Sequence, residues 1–221
     1  MTEPTETFEH AGVTVEIVPD LDPSDPQDND NAGTIYSWAR DFAGDEHIYC
    51  RDTISGRPYE LSNHTYETTG VLATRRLFAY FREHYDAALT IPLYYSAGSY
   101  AARLYEDTAE DANAVICFTR DELDREWAGK VAAARRYAKA RVGELDDWLR
   151  GNVYGIVIRH PKSGEVLDSC WGFIGDLYGE SGKYIYEQAN EMADACAEQI
   201  AREKTEVAYW AARDVVTEDQ P

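Results

Sequence analysis

Lysine is scarce in this chain. Lys130, Lys139, Lys162, Lys183 and Lys204 are the whole supply in 221 residues, and no lysine or arginine precedes Arg40. Lysine and arginine together number 21 against 41 aspartates and glutamates, a formal net charge of −20. Affinity for nucleic acid comes mostly from basic side chains neutralising phosphates, so this composition speaks against direct nucleic-acid binding. It speaks equally against an anionic membrane surface. Basic proteins or cations are the partners that such a charge attracts.

Other absences narrow the reading further. The four cysteines, Cys50, Cys117, Cys170 and Cys196, lie far apart with no CxxC pair, so they do not show the usual zinc spacings. The opening Met1-Thr2-Glu3-Pro4 has neither a basic nor an apolar leader region, and no apolar run reaches membrane-spanning length. The expectation is a cytoplasmic protein with reduced thiols. Nothing reads GxxxxGK[ST] or GxGxxG, so no nucleotide site is expected, and no cofactor and no metal is implied.

What is present is enough to fold. Hydrophobic residues make up 44% and aromatics 12%, a composition that supports a packed core. Tyrosine, at 16 against 6 phenylalanines, suits half-buried and contact positions because it joins an apolar face to a polar tip. Alternating and β-branched runs predict strands at Val13–Val18, ended by Pro19, at Thr34–Trp38, and at Asn113–Phe118. Leu89–Tyr95 also reads as a strand, and Pro92 within it predicts an edge or bulged strand. Residues 50–69 read as irregular and Val71–Tyr85 as a helix. Thr119 and Glu122 make a capping box that opens a helix running to about Leu149, with Gly129 and Gly143 as candidate breaks and Gly151 as its stop. Asn152–Arg159 and Glu165–Phe173, joined by Pro161-Lys162-Ser163-Gly164, predict a β-hairpin. A last helix spans about Glu180–Ala212. Strands do not alternate regularly with helices, which predicts α+β. The expected fold is a single domain over 1–221, mainly antiparallel, with the hairpin near 152–173 and two or three long helices. Residues 1–32 would form an acidic strand and loop, and 213–221 a disordered tail.

The candidate sites are of three kinds. First come carboxylates suited to contacting a partner: Asp20, Asp22, Asp25, Asp28 and Asp30; Glu106, Asp107, Glu110 and Asp111; and Glu187, Glu191, Asp194 and Glu198. The last four step by four, three and four positions, so a helix puts them on one face. A stripe of this kind is more often a plain solvated face. Second, from Trp127 to Gly143 the charge reverses, with Lys130, Arg135, Arg136, Lys139 and Arg141 and no acid. The simpler account is that this face docks on the protein's own acidic loops or is solvated. Third are two catalytic candidates. His47 and Cys50 form an HxxC pair beside Asp45 and Glu46 that matches no zinc pattern. Cys170 or Ser169 would be a nucleophile only with His160 as base, and a small buried-type cysteine on a strand is the commoner case.

Gly151-Asn152-Val153-Tyr154-Gly155, followed by Leu167-Asp168-Ser169-Cys170-Trp171-Gly172-Phe173-Ile174-Gly175, resembles the C-terminal signature of a family of uncharacterised phage and mobile-element proteins, which reads GDVYGY and then LDSCWGFYG. Gly44-Asp45-Glu46-His47 and Pro92-Leu93-Tyr94-Tyr95 resemble its GDEH and PLYLY stretches, and the passage from Val115 to Trp127 is similar too. The likeness spans roughly residues 33–178. Asn152 stands where the family has aspartate, and the glycine- and proline-rich segment after PLYLY is shortened to Ser96-Ala97-Gly98-Ser99. The resemblance singles out Asp45, Glu46, His47, Tyr154, Asp168, Cys170 and Trp171, without giving them roles. It implies an accessory protein of a phage or mobile element at work in host cytoplasm. Joined to the charge, it predicts a non-enzymatic protein that binds a host protein, in its sharpest form a DNA mimic that inhibits a nuclease or other DNA-binding defence factor. An enzyme using His47/Cys50 or Cys170 is the alternative. A third reading is salt adaptation, in which acidity is unrelated to function.

Overall fold

The computed structural model describes residues 3–39, 49–51, 58–60, 81–83, 85–97, 102–106 and 112–218. The chain is α+β and folds as two compact units: Met1–Ser24 with Asn152–Pro221, and Asp25–Gly151. The passages fall in the Pro- and Asp-rich stretch of residues 20–31 and at Gly151, and because both ends of the chain build one unit no single linker separates the two, which is why the sequence alone reads as one domain.

With elements numbered along the whole chain, the first unit holds β1 (Glu6–His10), β2 (Val13–Pro19), β9 (Val153–Arg159), β10 (Val166–Ile174) and α3 (Glu180–Glu218). Its sheet is antiparallel in the order β1-β2-β9-β10. Strict alternation in β2 sends Val13, Val15 and Ile17 to one face, where they join Ile156 and Ile158 of β9. Ile185, Ala189, Ala193 and Cys196 of α3 pack on that face at steps of four, four and three, and the two alanines let the helix lie close. β1, not foreseen in the sequence, is half solvated and has a single apolar residue, Phe8, so it shows no hydrophobic alternation. The hairpin β9–β10 is as expected. The last helix is longer than expected: it runs to Glu218 and so includes most of the stretch read as a disordered tail.

The second unit holds β3 (Thr34–Ser37), β4 (Tyr49–Arg51), β5 (Pro58–Glu60), β6 (Ala87–Ala97), β7 (Ala102–Glu106), β8 (Ala114–Thr119), α1 (Arg120–Trp127) and α2 (Val131–Leu149). Its main sheet is antiparallel in the order β3-β8-β6-β7, and β4–β5 is a separate two-stranded ladder inside the stretch read as irregular. Leu89, Ile91, Leu93, Ile116 and Phe118 meet Leu123, Ala134, Ala138, Val142 and Leu145 of the helices. The opposite face carries a ring cluster in which Tyr36 lies 4.9 Å from Phe81 and 5.1 Å from Tyr85. With both faces covered, β8 reads as a continuous apolar run rather than an alternating one. The helix expected over Val71–Tyr85 falls mostly outside the described residues.

Two expectations are met in part. β6 is an interior strand, despite Pro92. The Leu93 carbonyl faces β8, where the Asn113 N–H reaches it at 3.0 Å, so the neighbouring Pro92 nitrogen faces the other way. Pairing with β7 begins only at Leu93, so the missing N–H falls where no described ladder bond is needed. The bulge in β6 lies instead between Ala87 and Leu89. The long helix after Thr119 is two helices. Ala128 (φ 49°) and Gly129 (φ 73°) turn left-handed and end α1, whereas Gly143 interrupts nothing.

Thr119 caps α1 as expected: its hydroxyl oxygen accepts the Glu122 N–H at 3.2 Å, and Glu122 Oε2 accepts the Thr119 N–H at 2.7 Å. Glu122 Oε1 also accepts the Gly33 N–H at 3.0 Å, and buried Arg141 donates to the Gly33 carbonyl at 2.5 Å. Gly33 has φ 77°, and a Cβ there would lie 2.5 Å from the Phe118 ring. Gly33→Ala is therefore expected to destabilise by about 3 kcal/mol, against about 1 kcal/mol for Thr119→Ala. Urea unfolding followed by near-UV circular dichroism checks both values and their order.

Candidate functional site

The acidic candidates do not form one group. Asp20 accepts the Asp22 N–H at 3.2 Å in a local turn. Asp25 caps the short 3-10 turn at Pro26–Asp28, accepting the Gln27 N–H at 2.8 Å. Asp28 and Asp30 are exposed beside it. Glu106, at the end of β7, lies 3.9 Å from Arg135 of α2. Asp107, Glu110 and Asp111 lie outside the described residues. Glu187, Glu191, Asp194 and Glu198 are different: all four are exposed on the side of α3 turned away from Ile185, Ala189 and Ala193. They have only surface partners. Asp194 takes His10 at 3.0 Å, Glu198 takes Arg202 at 3.4 Å, and Glu191 takes the Gln188 amide at 3.0 Å. From Ala201 to Trp210 the helix is exposed at every position.

The basic face of α2 is in part structural. Arg141 is buried and donates to the Ala32 and Gly33 carbonyls, so this one of the five basic residues is a clamp on a loop. Arg135, Arg136 and Lys139 are exposed.

The family-like hairpin brings Tyr154, Asp168, Cys170 and Trp171 together on neighbouring strands but on two faces. Pairing with Ile158 and Ile156 puts Asp168 and Cys170 on the α3 side, at an exposed edge. Phe173 pairs with Tyr154, and both pack against the core on that side. Between Cys170 and Phe173 the register slips: Trp171 and Gly172 (φ 86°) face the single residue Gly155. A Cβ on Gly155 would run into the indole of Trp171. The signature thus encodes a bulge whose tryptophan lies on a bare backbone.

His160 does not serve as a base for Cys170. Its Nδ1 accepts the Lys162 and Ser163 N–H groups at 3.3 and 3.2 Å in the hairpin turn. It lies four strand residues from Ile156, the partner of Cys170, or about 13 Å. Cys117 and Cys196 are packing groups. Burial raises the Cys117 thiol far above its ordinary value, and burial followed by the Asp168 charge raises Cys196. Asp45, Glu46 and His47 lie outside the described residues, as does the Cys50 side chain. Among the described residues, no three or more His, Cys, Asp or Glu side chains are grouped to hold a metal.

The second unit contains a cavity of about 340 Å³ that the sequence did not point to. Ile91 and Leu93 of β6 and Ala138, Val142 and Gly143 of α2 form its apolar lining, with Glu106, Lys139 and Asp146 around it. Gly143 was the available signal: a glycine that breaks nothing in the middle of a helix costs about 1 kcal/mol relative to alanine. A Cβ placed on it meets nothing within 4 Å. No family model, curated protein or solved structure matches this chain. No helix among the described residues is long and apolar enough to cross a membrane.

Two outcomes are expected. Gly155→Ala should lift Trp171 off the strand, shifting its fluorescence and costing about 2 kcal/mol in unfolding. The Tyr186 hydroxyl donates to Glu6 at 2.5 Å, and burial followed by that hydrogen bond pushes its pKa up to about 12. The unfolded value is about 10, so its stabilising contribution is complete below that pH and is lost as pH rises through the folded value. The advantage of the native chain over Tyr186→Phe in urea midpoint should hold at neutral pH and shrink between about pH 10 and 12.

Proposed function

We propose that this chain works by binding a basic protein, and that the carboxylate face of α3 is the contact surface. The observation that carries the proposal is that Glu187, Glu191, Asp194 and Glu198 share one exposed face and have no role in the core. From first to last they are eleven helical steps apart, about 16 Å of helix, or roughly one charge per 5 Å. One strand of duplex DNA offers a phosphate about every 3.4 Å along its axis, so the face is somewhat sparser than the strand it would imitate. Exposed pairs such as Glu198–Arg202 are worth under about 1 kcal/mol, so a competing guanidinium or ammonium displaces them at little cost.

The finer form of the proposal is a DNA mimic from a phage or mobile element, occupying the basic groove of a host nuclease or other DNA-binding protein in the cytoplasm. Its support is the charge of −20, which steers a cationic surface toward the chain, together with the resemblance of the hairpin signature.

The test is capture from a nuclease-treated host lysate with a salt ramp, repeated with a variant carrying Glu187→Gln, Glu191→Gln, Asp194→Asn and Glu198→Gln. A single DNA-binding protein should be retained, released sharply by salt and by duplex DNA. The variant should bind it at least about tenfold more weakly, with its stability changed by less than about 1 kcal/mol. Equal retention of variant and native chain would remove α3 as the contact surface. Retention of nothing specific at the host's ionic strength would leave the acidity as solvation alone.

A further inference from the structure

α3 outruns the sheet that it covers. Ile185, Ala189, Ala193 and Cys196 are buried against that sheet, and Ile200 is half-buried at the end of the row. The row continues along the same helix face as Glu203, Val207 and Trp210, at steps of three, four and three. There Val207 is 69% exposed and Trp210 51%. We propose that this continuation is the contact between two copies of the chain, which pair the ends of their α3 helices antiparallel about a two-fold axis near Thr205.

Spacing, charge and size favour a second copy as the occupant. From Ala193 the steps run three, four, three, four and three, which is the seam on which one helix pairs with another, and Glu203 is its one charged position up to Trp210. Residues 1–24 and 152–200, the rest of the same unit, hold 14 acids against 3 bases. Ala201–Trp210 instead sets Arg202 and Lys204 against Glu203 and Glu206 and is neutral. A second copy meets no net repulsion on this stretch, and a basic partner finds no net attraction. Parallel pairing would put the two acidic sheets side by side and Glu203 against its own copy. Antiparallel pairing sends the sheets to opposite ends, seats Ile200 against the partner's Trp210 and puts Glu203 beside the partner's Val207. Ala201–Glu218 is about 27 Å of helix. Two helices in contact over that length bury on the order of 1,000 Å² in all, the low end of specific interfaces, which suits a dimer of micromolar affinity.

Sedimentation equilibrium on the full chain, from micromolar to submillimolar concentration, tests this. A reversible monomer–dimer equilibrium is expected. The double variant Val207→Glu, Trp210→Glu changes two exposed positions, so it should weaken the dimer at least tenfold and keep the native far-UV circular dichroism and melting temperature in dilute solution. Glu203→Leu should tighten the dimer at least tenfold. Added salt should tighten it too, because it screens the acidic units, whereas salt releases a basic protein from the carboxylate face on the other side of α3. The two contacts can therefore fail separately. The proposal is overturned if the chain stays monomeric throughout this range, if the double variant dimerises as the native chain does, or if Glu203→Leu leaves the dimer no tighter. A monomeric chain that floats with phosphatidylcholine vesicles, and no longer does so as the double variant, would give the face to a lipid surface and overturn it as well.

Discussion

The guanidinium of Arg141 is buried, and the Asp25–Gly151 unit is arranged to satisfy it. It donates to the Ala32 and Gly33 carbonyls. A buried charge without such acceptors costs several kcal/mol, so the loop before β3 is held at that spot on α2. The same Gly33 gives its N–H to Glu122, whose other oxygen holds the Thr119 N–H at the start of α1. One loop residue is thus fixed by a cation from one helix and an anion from another, with the Phe118 ring against its backbone. β3, the end of β8 and both helices follow from that clamp. Only glycine satisfies it, because the backbone there is left-handed and a Cβ would enter the ring.

The chemistry of the hairpin signature is narrower than its residue types suggest. Asp168, Ser169, Cys170 and His160 include the groups that nucleophilic catalysis uses. The register of β9 and β10 keeps the histidine four residues from the thiol's partner, and the histidine ring is already engaged with two backbone N–H groups. What the signature does build is the Trp171–Gly155 contact. A glycine that looked like part of a motif is the space a tryptophan needs.

Local signals were legible where they were self-contained. The Thr119–Glu122 capping box, the alternation of β2 and the β9–β10 hairpin depend on neighbours in sequence, and each was read at close to its true bounds. Pro92 misled because the rule about proline concerns one N–H, not a whole strand. The Pro92 nitrogen, which carries no hydrogen, faces the side of β6 where the described pairing with β7 has not yet begun, a fact set by the placement of β7. Gly129 and Gly143 looked alike as interior glycines. Only Gly129 adopts a left-handed angle; Gly143 stays helical and faces open space.

By itself, the sequence determined the charge, the more apolar strands and the helices, the Thr119 cap, and the helical spacing that groups four carboxylates on α3. These follow from composition and from backbone periodicity, which are local properties of the chain. Only the tertiary structure decided that Arg141 is a clamp and not part of a basic face, that Trp171 lies on Gly155, and that Glu106, Lys139 and Gly143 surround one cavity. Each of these depends on residues far apart in the chain, or on the register of two strands. Their proximity is set by packing, which no short stretch of sequence encodes.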